Sequence, residues 1–129
     1  MDKVHILSTN KTPEYLLDPK GIIKIKGRAI DESRIGIPEQ VMDWVDSYLL
    51  NPGQSTEIII ALEFLNSFNT MVLNSILKKI SQLIQQNKKL HIQWYYEKDD
   101  MDILERGEYI STIIDVPIEF IKTENIANC

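Results

Sequence analysis

Cysteine occurs once in the 129 residues, at Cys129. A lone thiol can build neither a disulfide framework nor a cysteine-rich zinc site, so the sequence fits a reducing compartment. Long apolar runs are missing as well. The longest, IIIAL at 58–62, is far too short to span a bilayer. The opening MDKVHILSTNKTPEY lacks the basic-then-apolar pattern of a secretory leader. The expectation is a cytoplasmic protein with no membrane role, in which the sequon at Asn10 is inert. Basic charge is scarce: 14 Lys and Arg stand against 19 Asp and Glu, a net charge of −5. A nucleic-acid backbone or an anionic membrane needs a concentrated basic surface, and neither is expected as a partner.

Glycine is sparse and scattered, at 21, 27, 36, 53 and 107. That dispersal forms neither a phosphate-cradling loop nor a dinucleotide fingerprint. The only histidines, His5 and His91, are not spaced as a metal pair, and a lone strand histidine is more often structural than catalytic. No nucleophile–base pair emerges. The expectation is no catalytic residue, no cofactor and no metal.

What is present is the composition of a folded domain, 43% hydrophobic and 26% charged. The length suits one domain over residues 1–129, large enough for a core without staples. YLLDPKGIIKIKG at 15–27 reads as a hairpin. Pro19 presets the turn, Gly21 can take a positive φ, and Asp18 can bond neighbouring amides. Pro38 and Glu39 suit a first helical turn, and Val41, Trp44, Val45, Tyr48 and Leu49 recur at helical spacing before NPG at 51–53 stops the helix. TEIIIALEF is a continuous apolar strand expected to be covered on both faces. From 70 to about 86, Val72, Leu73, Ile76, Leu77, Ile80, Leu83 and Ile84 form a helical stripe. KLHIQWYY at 89–96 is a strand, DDMDILERGEYIST a helix capped by Asp99 or Asp100, and VPIEFI at 116–121 an edge strand beginning near Pro117. A hairpin followed by α, β, α, β, α, β predicts an α/β fold: a mixed, largely parallel sheet with about three packed helices.

In such sheets functional groups gather at the carboxyl ends of strands, which directs attention to FLNSFNTMVLNSI at 64–76. Asn69 or Thr70 is expected to cap the following helix. A phosphate on Thr70 would add about −1.5 to −2 charges near the positive end of that helix. Ser67 and Ser75 are the other hydroxyl acceptors there, Ser75 already inside the helix. Glu97, Asp99, Asp100, Asp102 and Glu105 form an acidic cluster without calcium-loop spacing, and the dipole of a helix N-terminus accounts for it. In KTPE at 11–14, Thr12 and Glu14 read as turn chemistry. Trp44, Trp94, Tyr95 and Tyr96 read as packing.

Three stretches together, the TPE before the hairpin, IIIALEFLNSFNT with its long helix, and IQWYYEKDDMDILERGEYI, resemble the SiaC family of bacterial regulatory phosphoproteins, from about Leu7 to Ile121. The resemblance implies a STAS-like fold and a non-enzymatic, partner-switching role. It implies a kinase of the histidine-kinase-like ATPase fold that phosphorylates a threonine at the start of the long helix, and a PP2C-like phosphatase that reverses it. It further implies that the unphosphorylated form binds and activates a diguanylate cyclase, raising cyclic-di-GMP and promoting aggregation or biofilm growth. Thr70 takes the threonine's place. Where the family pattern continues with small hydroxyl residues, this chain has Met71 and Val72. The expected docking face has an exposed Thr70 hydroxyl at its centre, with Asn66, Ser67, Asn69 and Met71 around it. An anti-sigma-factor antagonist acting on a serine/threonine anti-sigma kinase is the alternative function on the same fold.

Overall fold

A computed structural model describes residues 1–33 and 36–129. The chain runs β1 (Val4–Ile6), β2 (Glu14–Asp18), β3 (Ile22–Ala29), α1 (Ile37–Leu50), β4 (Ser55–Leu65), α2 (Ser67–Ile80), β5 (Lys89–Glu97), α3 (Met101–Ile114) and β6 (Ile118–Thr123). A 3-10 segment, Ser81–Gln86, extends α2, and another, Ile126–Asn128, follows β6. The six strands form one sheet in sequence order. β1, β2 and β3 pair antiparallel, and β3 to β6 pair parallel. This is the mixed, largely parallel α/β sheet with an N-terminal hairpin that the residue pattern predicts.

The hairpin turn forms as its residues dictate. Gly21 N–H donates to Asp18 O at 2.9 Å, Asp18 Oδ1 accepts from Lys20 N–H, and Gly21 has a φ of 105°. A Cβ there would also lie 2.4 Å from Ser55 O, so both the dihedral and the neighbouring strand require glycine. β1 is an addition to the predicted elements: three residues pair His5 opposite Leu16 at the sheet edge. So short a segment carries too little periodicity to read without its pairing partner. β6 begins just after Pro117 and lies at the other edge, two residues later than predicted.

β4 corrects an expectation. Ile58, Ile60 and Leu62 are fully buried, as is Ala61, but Glu57, Glu63 and Phe64 are exposed. Strands added in one direction through crossovers of one hand place every helix on the same face. That face carries Tyr15, Leu17, Ile23, Ile25, Ile58, Ile60, Ile92 and Trp94, joined with the helix stripes in one continuous core. Behind it, the segment around Ile126 lies against β4 and β5, and among the described residues the ends of β4 are left exposed on that side at Glu57 and Glu63.

Trp94 sets the position of α3. Its indole N–H donates to Ile103 O at 3.1 Å, which satisfies the one polar group of a fully buried ring. Asp100 caps α3 by accepting from Ile103 N–H, one of the two caps expected. One turn on, Gly107 lies directly over the indole: a Cβ there would meet Trp94 at 2.7 Å and Phe120 at 2.7 Å. Replacing an interior helical glycine by alanine ordinarily stabilises a helix, by about 1 kcal/mol. Here overpacking opposes that gain. Gly107→Ala is expected to lower stability by about 1–3 kcal/mol, read as a reduced urea midpoint. A raised midpoint would refute the close approach.

Candidate functional site

β4 ends at Leu65, and Asn66 turns the chain into α2 with extended backbone angles, φ −88° and ψ 175°. Its side-chain oxygen accepts from Asn69 N–H at 2.9 Å, so Asn66 is the cap and the helix starts at Ser67. The expected caps, Asn69 and Thr70, are therefore already inside the helix. The physical reason is that Asn66 already satisfies one orphan amide of the first turn, that of Asn69.

This earlier start fixes which way each side chain faces. Ser67, Met71, Ser75 and Lys78 form an exposed outer stripe. Thr70 instead falls in line with Leu73 and Leu77 and is only 5% exposed, against the expectation of an exposed hydroxyl. Its hydroxyl donates to Asn66 O at 2.8 Å, the back-bond of a helical threonine to the residue four before it. It accepts from Arg106 Nη1 of α3 at 3.0 Å. Arg106 Nε in turn donates to Asp102 Oδ2 at 3.0 Å, one helical turn away.

The amides of Asn66 and Asn69 also point elsewhere than expected. Asn66 Nδ2 donates to Ile30 O at 2.7 Å, and Asn69 Nδ2 donates to Asp31 O and to Asn66 Oδ1, each at 2.8 Å. Both side chains tie the start of α2 to the segment after β3. Of the expected docking residues, Ser67 and Met71 face outward. Ser75 is exposed too, with its hydroxyl donating to Met71 O.

Between α2 and α3 lies an open cleft of about 340 Å³. Ser67, Thr70 and Met71 line one wall, and Asp102, Glu105, Arg106 and Tyr109 the other. Met71 is 60% exposed and Tyr109 59%, so two large apolar side chains flank the Thr70–Arg106 contact. α3 contributes half of this site, yet none of its residues except the acids stood out in the sequence. The one available signal was the Asp102–Arg106 spacing, a helical ion pair whose reach toward α2 needs the tertiary packing.

The other candidates sort simply. Asp100 is a cap, Asp102 is paired, and Glu97 accepts from Ile126 N–H, so the acids serve several separate roles. No group of ligating side chains suited to a metal ion occurs among the described residues. His5 contacts Glu14, and His91 lies between Glu57 and Glu119 on the exposed face of the sheet. Thr12 closes a turn with Thr9 and lines a separate concavity beside Asn69. Trp44 and Trp94 are buried, with Trp44 stacked on Tyr48. No helix among the described residues is long and apolar enough to cross a membrane.

The family model described as SiaC family regulatory phosphoprotein matches residues 6–123. The chain belongs to this family. Apo-SiaC from Pseudomonas aeruginosa, a crystal structure, is similar to this SiaC family member with a TM-score of 0.82 at 25% identity, over 94% of this chain and 99% of that one. A chain in the crystal structure of the diguanylate cyclase SiaD in complex with its activator SiaC, also from Pseudomonas aeruginosa, shares the fold. There the TM-score is 0.83 at 24% identity, over 93% of this chain and 99% of that one. An uncharacterized protein of Pseudomonas aeruginosa strain UCBPP-PA14 is 25% identical over 84% of this chain and 86% of its own.

In this SiaC family member the cap at Asn66 has two separable parts, and their loss can be measured. Asn66→Ala removes the acceptor for Asn69 and the donor to Ile30, and is expected to cost about 1–2 kcal/mol in denaturant unfolding. Asn66→Asp keeps the cap acceptor and should recover part of that loss. Equal stability of Asn66→Ala and the parent would refute the assignment.

Proposed function

We propose that this protein is a non-enzymatic, cytoplasmic switch that binds and activates a diguanylate cyclase while Thr70 is unmodified, and lets go when Thr70 is phosphorylated. The observation that carries this reading is the Thr70–Arg106 contact on the floor of a cleft flanked by exposed Met71 and Tyr109. Family membership and the relative named as activator of SiaD point the same way. Ser67, Met71 and Tyr109 make the docking surface.

A kinase of the histidine-kinase-like ATPase fold supplies ATP and magnesium. Thr70 Oγ1 attacks the γ-phosphorus, the bond to the β-phosphate oxygen breaks, ADP leaves, and the hydroxyl proton passes to a base of the kinase. A PP2C-like phosphatase restores the hydroxyl by hydrolysis. Before attack, Oγ1 must leave Asn66 O and Arg106, two bonds worth roughly 1 kcal/mol or somewhat more each. Docking of the kinase on the α2–α3 cleft offsets that cost.

Phosphorylation then places a dianion between two apolar contact residues. Arg106 offsets only part of that charge beside Asp102 and Glu105, and a net desolvation cost of ~3 kcal/mol under the cyclase already weakens binding more than a hundredfold.

The test has two parts. Incubation with the cognate kinase and ATP should add one phosphate, mapped to Thr70 by mass spectrometry and missing from Thr70→Ala. Thr70→Ala should still bind the cyclase, whereas Thr70→Asp should lose binding about a hundredfold or more by calorimetry while staying folded. Full-strength binding by Thr70→Asp would refute charge exclusion, and capture of an anti-sigma kinase in place of a cyclase would favour the antagonist reading.

A further inference from the structure

Resting on the reading that Thr70 carries the phosphate, we infer that Arg106 receives it, exchanging its bond to Asp102 for bonds to the phosphoryl oxygens. The parts are already in contact. Arg106 Nη1 lies 3.0 Å from the oxygen that would be esterified, and its side chain is about one-quarter exposed, so it is held in place yet open to the cleft. A guanidinium has five N–H donors in a planar fork. One is spent on Thr70 and one on Asp102, leaving the rest for a phosphate, whose geometry the fork matches.

Esterification also removes the proton that Oγ1 donates to Asn66 O. That carbonyl is not orphaned, because it still accepts from Thr70 N–H at 2.9 Å. The phosphate can therefore swing outward at little cost to the helix start. Among the described residues lining the cleft, Arg106 is the one cation. Ser67 and Tyr109 are neutral, and Asp102 and Glu105 repel an added anion.

The competing bond is the weaker one. Asp102 is 67% exposed, and an ion pair there is screened by water. A phosphate carries about −1.5 to −2 charges against the carboxylate's one, and the guanidinium fork can pair with it bidentately. Phosphorylation thus releases the Asp102 carboxylate at the cleft rim. The lining residues carry one cation and two carboxylates before modification. Afterwards the net charge there falls to about −2.5 to −3. The partner then meets a more negative surface, with the phosphate and a freed aspartate at its rim.

Phosphothreonine installed at position 70 by genetic code expansion tests the pairing without any kinase. In a ³¹P NMR titration, its second ionisation should lie below the usual value of about 6. Arg106→Gln should raise that midpoint by about one pH unit, and Asp102→Asn should lower it further. Arg106→Lys, which keeps the charge and loses the fork, should give an intermediate value and covers the case in which Arg106→Gln does not fold. Identical midpoints in the parent and the Arg106 variants would overturn the pairing. Phosphate mapped to Ser67 or Ser75 in protein from its own cells would overturn the Thr70 reading, and with it the cellular role of Arg106, whatever the installed phosphate shows.

Discussion

The side chain of Asn66 sets the phase of α2, and the candidate cleft follows from that phase. Its oxygen caps the helix at Ser67 and its amide holds Ile30 O, so one residue joins the end of β4, the start of α2 and the segment after β3. A start three or four residues later, with Asn69 or Thr70 as cap, would turn the threonine away from the helical stripe it shares with Leu73 and Leu77. The outward stripe, Ser67 and Met71 among it, would lose its place beside α3 as well. Local cap chemistry at the end of a parallel strand thereby decides which hydroxyl meets Arg106.

Much of the architecture could be read from local pattern because local pattern and tertiary fold agree over most of the chain. The Asp18–Gly21 turn, the Pro38 helix start, the α2 stripe and the Asp100 cap each depend on residues within one turn of one another. The misses are of another kind. β1 exists through its pairing with β2, and the uncovered part of β4 follows from all three helices sharing a face. Neither is a property of a single segment. The site divides the same way: Thr70 was legible as the notable hydroxyl at a strand–helix junction, whereas its partner Arg106 lies 36 residues on, in another helix. Asn66 and Asn69 were legible as polar groups at a helix start, but polarity does not say whether an amide serves a partner protein or its own loop.

The burial of Thr70 bears directly on how a switch can work. A phosphate on Ser67 or Ser75, both on the outer stripe, would be largely solvated and could disturb a partner only by direct contact. Thr70 is tied to the carbonyl that begins α2 and to the guanidinium that links α2 with α3. Under the proposal above, modification alters contacts on both helices at once, because the group that changes charge is bonded to each. The two hydrogen bonds also hold the hydroxyl back from casual modification, since water or a stray kinase gains nothing that offsets their loss. In that proposal a dedicated kinase that opens the cleft overcomes this through its own binding energy. Under the same proposal low exposure favours selectivity of modification, whereas Ser67 and Ser75, on the exposed stripe, are easier to reach but are not the hydroxyl that Arg106 holds.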